Sequence, residues 1–255
     1  AEVAHAEARR IEHKFSRYRN DNIVHRINSG SDRVEVDEET ARLLDFAQNC
    51  YRISDGWFDI TSGILRRAWR FVDGAKPPKQ SEIDALLPHI GWDKLTWDPP
   101  YLTVPRKMEI DFGGIGKEYA VDASLGLITR MSRHSVMVNY GGDCNANAPQ
   151  SNGAPWITGI ENPRKPGDAS AVLHLRHGAL ATSGDVFRFI EHRGRRYGHI
   201  LNPVNGWPDT DAPRSVTVAA ATCTEAGVLS TLAMLHGNDA ESFLETQEVK
   251  FWCFR

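Results

Sequence analysis

Apolar residues recur three and four positions apart in several stretches of the chain, which is the spacing of an amphipathic helix. This pattern predicts a first helix that ends before Ser16 and a second from about Glu38 to Arg52, with Leu43, Leu44 and Ala47 on one face. Further predicted helices run from near Thr61 to Phe71, from about Ser81, from Lys117 to beyond Ile128, over Thr224–His236 and over Asp239–Thr246.

Short runs of β-branched and aromatic residues between these helices predict strands. Ser215–Ala221 is rich in β-branched residues, and Lys94–Asp98 with Tyr101–Val104 predicts a hairpin that turns at Pro99-Pro100. Other predicted strands are Met108–Asp111, Ser135–Asn139, Trp156–Ile160, Ala171–Leu175, Val186–Glu191, Tyr197–Leu201 and Val249–Phe254.

Helices and strands are mixed without a regular βαβ rhythm, so the pattern predicts an α+β fold. We expect two interlocked lobes with mixed or antiparallel sheets and flanking helices. The most linker-like stretch, Asp73–Gln80, contains one glycine and two prolines and is a candidate link between the lobes.

Composition narrows the possible classes of protein. The 255 residues are 41% hydrophobic and 25% charged with a net charge of −3, which fits a globular chain with a sizeable core and no nucleic-acid partner. The four cysteines lie far apart without metal-ligand spacing and are expected to be free thiols that are buried or half-buried. No apolar run approaches the roughly 20 residues that span a bilayer. No signal peptide is recognisable, but the helical pattern already present at residue 1 leaves open a preceding leader or first strand.

Four glycine-containing segments each follow a run that favours a strand: Asp111–Lys117, Asn139–Asp143, Thr182–Asp185 and His199–Gly206. Glycine allows the backbone to approach a ligand closely, and backbone N–H groups at such turns attract phosphate. Most single glycine loops are only turns, whereas four with polar ends favour a nucleotide site. The chain contains neither a GxGxxG nor a Walker A pattern, which disfavours a nicotinamide or P-loop site.

Residues 111–122, D-F-G-G-I-G-K-E-Y-A-V-D, resemble the signature D-L-G-G-I-A-K-G-Y-A-V-D of the ApbE family, the FAD:protein FMN transferases. The resemblance runs from about residue 7 almost to the end, and implies one ApbE-like domain over residues 1–255, with a T-fold-like core and without the family's first strand. Other segments that resemble the family, in its order, are Phe15–Tyr18 with Arg26–Asn28, Gly56–Thr61, Asn139–Asp143, Ala181–Asp185, His199–Pro208 and Leu229–Thr231.

The resemblance implies a reaction that splits FAD at its pyrophosphate. The FMN moiety passes to a threonine or serine hydroxyl of a target protein through a phosphoester bond, AMP leaves, and Mg²⁺ assists. His199 is the implied base or pyrophosphate contact, because a neutral imidazole can accept a proton at pH 7. The residues that the resemblance assigns to FAD binding are Asn28, Trp57, Phe58, Asp59, Gly113, Gly114, Lys117, Tyr119, Gly141, Gly142, Asp143, Thr182, Ser183, Gly184, His199 and Ile200.

Each of these assignments has a structural alternative. Trp57 and Phe58 suit a core aromatic cluster as well as a flavin, and Lys117 suits a helix cap as well as a phosphate. Asp122 is expected to anchor its loop rather than meet the ligand. Asp143 and Asp185 stand at loop ends, where carboxylates often hold turns.

The implied metal site departs from the family pattern. By resemblance, Mg²⁺ binds the carbonyl of Gly116 and the segment that contains Ser230 and Thr231, but the aspartate expected in that segment is Gly227. Losing a carboxylate removes one oxygen ligand and one charge. Glu225 is expected to point about 200° away on its helix. Glu118, where the family has glycine, adds a carboxylate that either serves the metal or faces solvent.

This departure keeps two alternative functions open: an FAD-binding protein without transferase activity, and an FAD pyrophosphatase that yields FMN and AMP. The resemblance implies a bacterial flavin-acceptor partner, either a redox-pump subunit or an exported electron-transfer protein. It also implies a membrane-associated enzyme in the periplasm or on the outer face of the inner membrane, with a cytoplasmic location left open.

Overall fold

The computed structural model describes residues 1–30, 33–72, 74–165 and 167–255. These residues form two compact units, and the chain passes between them four times. Unit 1 comprises Ala1–Glu12, Ile115–Phe187 and Asp211–Arg255. Unit 2 comprises His13–Gly114 and Arg188–Thr210.

The helices described are α1 (Glu2–Phe15), α2 (Ile23–Ser29), α3 (Glu38–Ile53), α4 (Gln80–Asp84), α5 (Gly116–Met131), α6 (Cys223–Leu235) and α7 (Ala240–Thr246). The strands described are β1 (Val34–Glu35), β2 (Thr96–Asp98), β3 (Tyr101–Thr103), β4 (Met137–Tyr140), β5 (Asp143–Ala146), β6 (Trp156–Glu161), β7 (Ala169–Leu175), β8 (Gly178–Gly184), β9 (Phe189–His192), β10 (Arg195–Gly198), β11 (Ser215–Ala220) and β12 (Lys250–Phe254). Short 3₁₀ helices cover Ile60–Arg67, Leu87–His89, Trp92–Lys94, Phe112–Gly114 and Gly237–Asp239.

Unit 1 is built on a five-stranded antiparallel sheet in the order β12-β11-β8-β5-β4. Helices α5 and α6 pack against this sheet, and β6 and β7 form a separate hairpin. Helix α6 is buried on almost every side, which is why its sequence is apolar or small-residued rather than amphipathic. The short side chains of Ala226, Gly227 and Ser230 let this helix lie close to its neighbours.

Unit 2 contains the antiparallel sheet β1-β3-β2, the β9–β10 hairpin and helices α2, α3 and α4. Asp37 caps α3 by accepting a hydrogen bond from the Thr40 N–H, and Leu43, Leu44 and Ala47 are buried, as their spacing predicts. A hydrophobic core of unit 2 forms around Trp69, whose indole N–H donates to the Gly206 carbonyl at 2.8 Å.

Several predicted elements are wrong. Met108–Asp111 is not a strand: the Ile110 backbone hydrogen-bonds both ends of the Asn28 side-chain amide, and the Asp111 N–H donates to the Ile60 carbonyl. Thr182–Gly184 was expected in a loop but forms the end of β8, where it pairs with β11. Its small residues show no apolar alternation, so the sequence pattern does not reveal this strand.

The candidate linker also differs from the prediction. Asp73 lies outside the described residues, while residues 74–80 belong to unit 2 and do not divide the two units. The helix expected from Thr61 to Phe71 is a 3₁₀ helix, Ile60–Arg67, and α2 was not predicted.

Candidate functional site

In unit 1, three sequence-distant segments meet at the buried carboxylate of Asp143, which begins β5. Asp143 is 1% exposed, and its Oδ1 accepts a hydrogen bond from the Thr182 N–H at 2.9 Å. Its Oδ2 lies 2.5 Å from Nζ of Lys117 in the first turn of α5. Burial opposes the charged form of Lys117, but the ion pair with Asp143 outweighs it and raises the pKa of Lys117.

Hydroxyl groups connect the next residue of β8 to α6. Ser183 Oγ lies 2.8 Å from Ser230 Oγ and 3.0 Å from Thr231 Oγ1. The Ser230 hydroxyl also donates to the Gly227 carbonyl at 3.0 Å. Lys117, Asp143, Ser183, Ser230 and Thr231 therefore belong to one region of unit 1. We call this region the oxygen cluster, together with Glu118, Gly227 and Gly116, which precedes Lys117 at the start of α5.

Glu118 packs directly over Gly227. A Cβ added at Gly227 would lie 2.6 Å from Glu118 Cγ, closer than real side chains approach. The Glu118 side chain is 12% exposed, and burial raises its pKa to about 8, with the negative charge of Asp143 acting in the same direction. Glu118 thus faces the protein interior rather than solvent.

Asp122 fixes the beginning of α6. Its carboxylate accepts hydrogen bonds from the N–H groups of Cys223 and Thr224, from the Thr224 hydroxyl and from the Asn145 amide, at 2.7–2.9 Å. A carboxylate at a helix N-terminus satisfies backbone donors that have no partner within the helix. Asp122 therefore anchors the start of α6 rather than its own loop, and it sets the position of the helix that carries Ser230 and Thr231.

Glycine is required at different positions of unit 1 for different physical reasons. Gly141 and Gly142 form the turn between β4 and β5 with φ of 63° and 102°, and the Gly142 N–H donates to the Asn139 side chain. Gly184 ends β8, where an added Cβ would lie 2.5 Å from the Arg214 carbonyl. Asp185 follows and accepts from the Arg214 side chain at 2.8 Å.

In unit 2, several residues assigned to FAD by resemblance also hold the fold. Asn28 uses both ends of its amide on Ile110, as described above. Asp59 is buried and accepts from the Thr61 N–H, the Thr61 hydroxyl and the Trp92 N–H. Burial raises the pKa of Asp59. Phe58 is buried beside Gly114, and its N–H donates to the Ser54 hydroxyl, while Trp57 is half-buried.

Gly113 and Gly114 are exposed in the short 3₁₀ helix, and the Gly113 N–H donates to Asp111 Oδ1. Tyr119 and Ile200 are half-buried, in unit 1 and unit 2 respectively. These positions leave their assignment to FAD as a prediction.

His199 is half-buried in unit 2, 3.1 Å from the Arg188 carbonyl through its Nδ1. A carbonyl oxygen can only accept, so Nδ1 carries the proton and the neutral ring keeps its lone pair on Nε2. The Phe71 ring lies edge-on at 6.3 Å between centroids. This arrangement fixes the tautomer that a proton-accepting histidine needs.

Unit 2 also holds a charged group that the sequence reading did not single out. Arg17 pairs with Asp111, and Arg66 and Arg67 both pair with the buried Glu109. Burial and the neighbouring positive charge of Arg17 lower the pKa of Arg66. The consecutive arginines and the alternating acids Glu109 and Asp111 were the sequence signal for it.

Two kinds of feature are absent from the residues that the structure describes. No helix among them is long and apolar enough to cross a membrane. Among the same residues, no group of three or more His, Cys, Asp or Glu side chains is arranged to hold a metal.

Antiparallel sheets with helices packed against them, and a buried group of polar side chains in unit 1, define an α+β protein with a concentrated polar region in its core. The family model described as "ApbE family" matches residues 1–253, and this chain belongs to the ApbE family. The predicted α+β fold class is confirmed by the sheets and by the structural likeness below.

Curated relatives carry the name FAD:protein FMN transferase. The protein of that name from Haemophilus influenzae is 28% identical over 239 residues, which cover 89% of this chain and 69% of the relative. The one from Escherichia coli K12 is 29% identical over 234 residues, covering 88% and 67%.

Two solved structures are closely similar. The ApbE protein of Thermotoga maritima matches with a TM-score of 0.91 and 32% identity, covering 99% of this chain and 84% of that one. The flavinyl transferase ApbE of Pseudomonas stutzeri, in its apo form, matches with a TM-score of 0.87 and 28% identity, covering 99% and 82%.

Proposed function

We propose that this chain is an Mg²⁺-dependent FAD:protein FMN transferase. The observation that carries the proposal is the oxygen cluster of unit 1, in which Lys117, Asp143, Ser183 and Thr231 converge although they lie far apart in sequence. Membership of the ApbE family, together with the relatives' name, supports this activity over other uses of a phosphate-binding region.

The proposed reaction forms one bond and breaks another at the phosphorus of the FMN half of FAD. A threonine or serine hydroxyl of the acceptor attacks that phosphorus, the bond to the bridging oxygen breaks, and AMP leaves with the electron pair. His199 Nε2 takes the hydroxyl proton, because Nδ1 is already committed as a donor to the Arg188 carbonyl.

The residues of the oxygen cluster fit a hard divalent cation. Except for Lys117, they offer carboxylate, hydroxyl or carbonyl oxygens, and the buried Glu118 Oε2 receives no hydrogen bond within the described residues. The Gly116 carbonyl and the hydroxyls of Ser230 and Thr231 would hold Mg²⁺, which would neutralise charge on the phosphate oxygens. The positive charge of Lys117 balances the negative charge of Asp143, and the ion pair keeps the Asp143 side chain in place.

For FAD binding we propose the set given by resemblance, with unequal support. The exposed turns at Gly141-Gly142 and Gly113-Gly114 allow a phosphate to approach the backbone closely. The N–H groups of Gly142 and Gly113 already donate to the side chains of Asn139 and Asp111, so a phosphate would have to compete for them. Asn28, Asp59 and Gly184 already have structural reasons for their residue type.

Product analysis tests the proposal. The purified protein is incubated with FAD, Mg²⁺ and an acceptor protein carrying a reactive threonine, and the nucleotides and the acceptor are separated by chromatography. Transfer predicts AMP and flavin bound covalently to the acceptor. Free FMN with AMP identifies a pyrophosphatase instead, and unchanged FAD identifies a binding protein; either result overturns the proposal.

We further propose a flavin-bearing redox protein as acceptor, either a pump subunit or an exported electron carrier, with the enzyme in the periplasm or at the outer face of the inner membrane. The support is the resemblance to the family. Fractionation of cells that express the full natural protein tests the location, and recovery in the cytoplasmic fraction alone contradicts it.

A further inference from the structure

Glu118 and Gly227 occupy each other's space across the contact between α5 and α6. A Cβ built on Gly227 would lie 2.6 Å from Glu118 Cγ, 3.1 Å from Cδ and 3.4 Å from Oε1. A side chain at position 227 and the observed Glu118 side chain therefore exclude one another. Glycine at 227 is what allows the Glu118 carboxylate to reach the surface of α6.

The face of α6 that Glu118 covers also carries two hydroxyl groups. Ser230 and Thr231 follow Gly227 by three and four residues, so all three lie on one face of the helix. The contacts of Ser183 with both hydroxyls confirm that they point to the same place. Glu118 thus brings a carboxylate to the hydroxyls that were assigned to the metal.

Two buried carboxyl groups, those of Glu118 and Asp143, lie beside a single ammonium group, that of Lys117. Glu118 Oε2 is buried and receives no hydrogen bond from the described residues, and the neighbouring Asp143 is a second carboxylate. Lys117 Nζ lies 2.5 Å from Asp143 but 4.0 Å from Glu118 Oε1. A buried carboxylate oxygen without a donor costs free energy, so a proton or a cation has to satisfy it.

We propose that Glu118 is the carboxylate ligand of the divalent cation in this chain, supplied from α5 because α6 has glycine at position 227. This inference rests on the proposed function, since it concerns the cation of that reaction. Apart from the Lys117 ammonium, which cannot bind a metal while protonated, the polar side chains of the cluster are oxygen groups, which suits Mg²⁺ or Mn²⁺ better than a thiolate- or imidazole-seeking metal.

Mn²⁺ binding measured by electron paramagnetic resonance tests the assignment without relying on turnover. The titration uses the whole chain with FAD and no acceptor. Glu118→Gln keeps the size and removes the charge, and we expect Mn²⁺ affinity to fall at least about tenfold while FAD affinity in metal-free buffer does not fall. Glu225→Gln, which neutralises an exposed glutamate in the first turn of α6, is the matched control and is expected to stay within about twofold.

A second variant moves the carboxylate back onto α6. The double substitution Glu118→Gly with Gly227→Asp removes the steric conflict and places a carboxylate one turn before Thr231, so we expect it to recover Mn²⁺ affinity relative to Glu118→Gly alone. Unchanged affinity in Glu118→Gln, or no Mn²⁺ binding by the wild-type protein with FAD bound, overturns the inference. If FAD binds and its FMN is still transferred, the proposed function survives that result; if FAD does not bind at all, both fail.

Discussion

At the level of the residue, single carboxylates hold together parts of unit 1 that are distant in sequence. Asp143 joins the first turn of α5 to β8 through Lys117 and the Thr182 N–H. Because Asp143 is buried, these contacts are worth more than they would be in water, and the one to the Thr182 N–H fixes the backbone next to Ser183. A ligand of the proposed kind would therefore meet hydroxyl groups that are already held in place.

His199→Ala tests the assignment of the base. We expect the rate of FMN transfer to fall by roughly 10²–10⁴-fold, because a proton acceptor is lost, while FAD affinity changes little. Rates come from AMP release and affinities from flavin fluorescence. The exposed His177, in unit 1, provides the control His177→Ala with wild-type kinetics. A His199→Ala enzyme with a rate near wild type would show that another group takes the proton.

Gly184→Ala tests whether this glycine is required by packing. The added Cβ would meet the Arg214 carbonyl at 2.5 Å, so we expect a loss of about 1–3 kcal/mol in the free energy of unfolding, measured with denaturant. Gly126→Ala in α5 meets no atom closer than 3.6 Å and is expected to stabilise the protein by about 0.5–1 kcal/mol. Equal effects of the two substitutions would contradict the packing argument.

At the level of elements, the position of α6 depends on Asp122. Removing its carboxylate leaves two backbone donors and the Thr224 hydroxyl without their acceptor. We expect Asp122→Ala to destabilise the protein by about 2–4 kcal/mol in denaturant unfolding. Thr222→Ala, which removes only the N-cap hydrogen bond to the Glu225 N–H, should cost about 1 kcal/mol. A smaller loss for Asp122→Ala than for Thr222→Ala would refute the anchoring role.

Helix α7 is tied down by a pH-sensitive ion pair. The hydrogen bond from Arg255 lowers the pKa of Glu241 to about 2. A lowered folded-state pKa stabilises the protein above the ordinary glutamate value, about 4.3, and this stabilisation is lost as pH falls through about 2. We expect the Tm difference between wild type and Glu241→Gln to shrink by about half between pH 6 and pH 3. A difference that does not depend on pH would exclude this ion pair as its source.

The sequence pattern predicts long elements well and small-residue elements poorly. Helix α3 follows from its apolar spacing, and the hairpin of β2 and β3 from β-branched residues around two prolines. Strand β8 is not predicted, because Ala-Thr-Ser-Gly has no apolar alternation, although the strand lies in the middle of the sheet. Met108–Asp111 is wrongly predicted as a strand, because the Ile110 backbone forms its hydrogen bonds with the Asn28 side chain rather than with a neighbouring strand.

At the scale of the whole molecule, the resemblance gives the family but not the contacts inside the oxygen cluster. From the sequence alone, a glutamate in the first turn of a helix is expected only to interact favourably with the helix dipole, and a glycine within a helix only to lower helix stability. Only their packing shows that Glu118 and Gly227 belong together. Contacts between residues so far apart depend on how the sheet brings α5 beside α6, which local periodicity does not encode.

The central claim is that the FMN phosphate passes from FAD to a protein hydroxyl without a water molecule intervening. Running the reaction in ¹⁸O-enriched water and weighing the acceptor and nucleotides by mass spectrometry tests this directly. We predict one unlabelled FMN bound to the acceptor for each AMP released. Free FMN that carries ¹⁸O on its phosphate, with no flavin bound to the acceptor, would contradict the account.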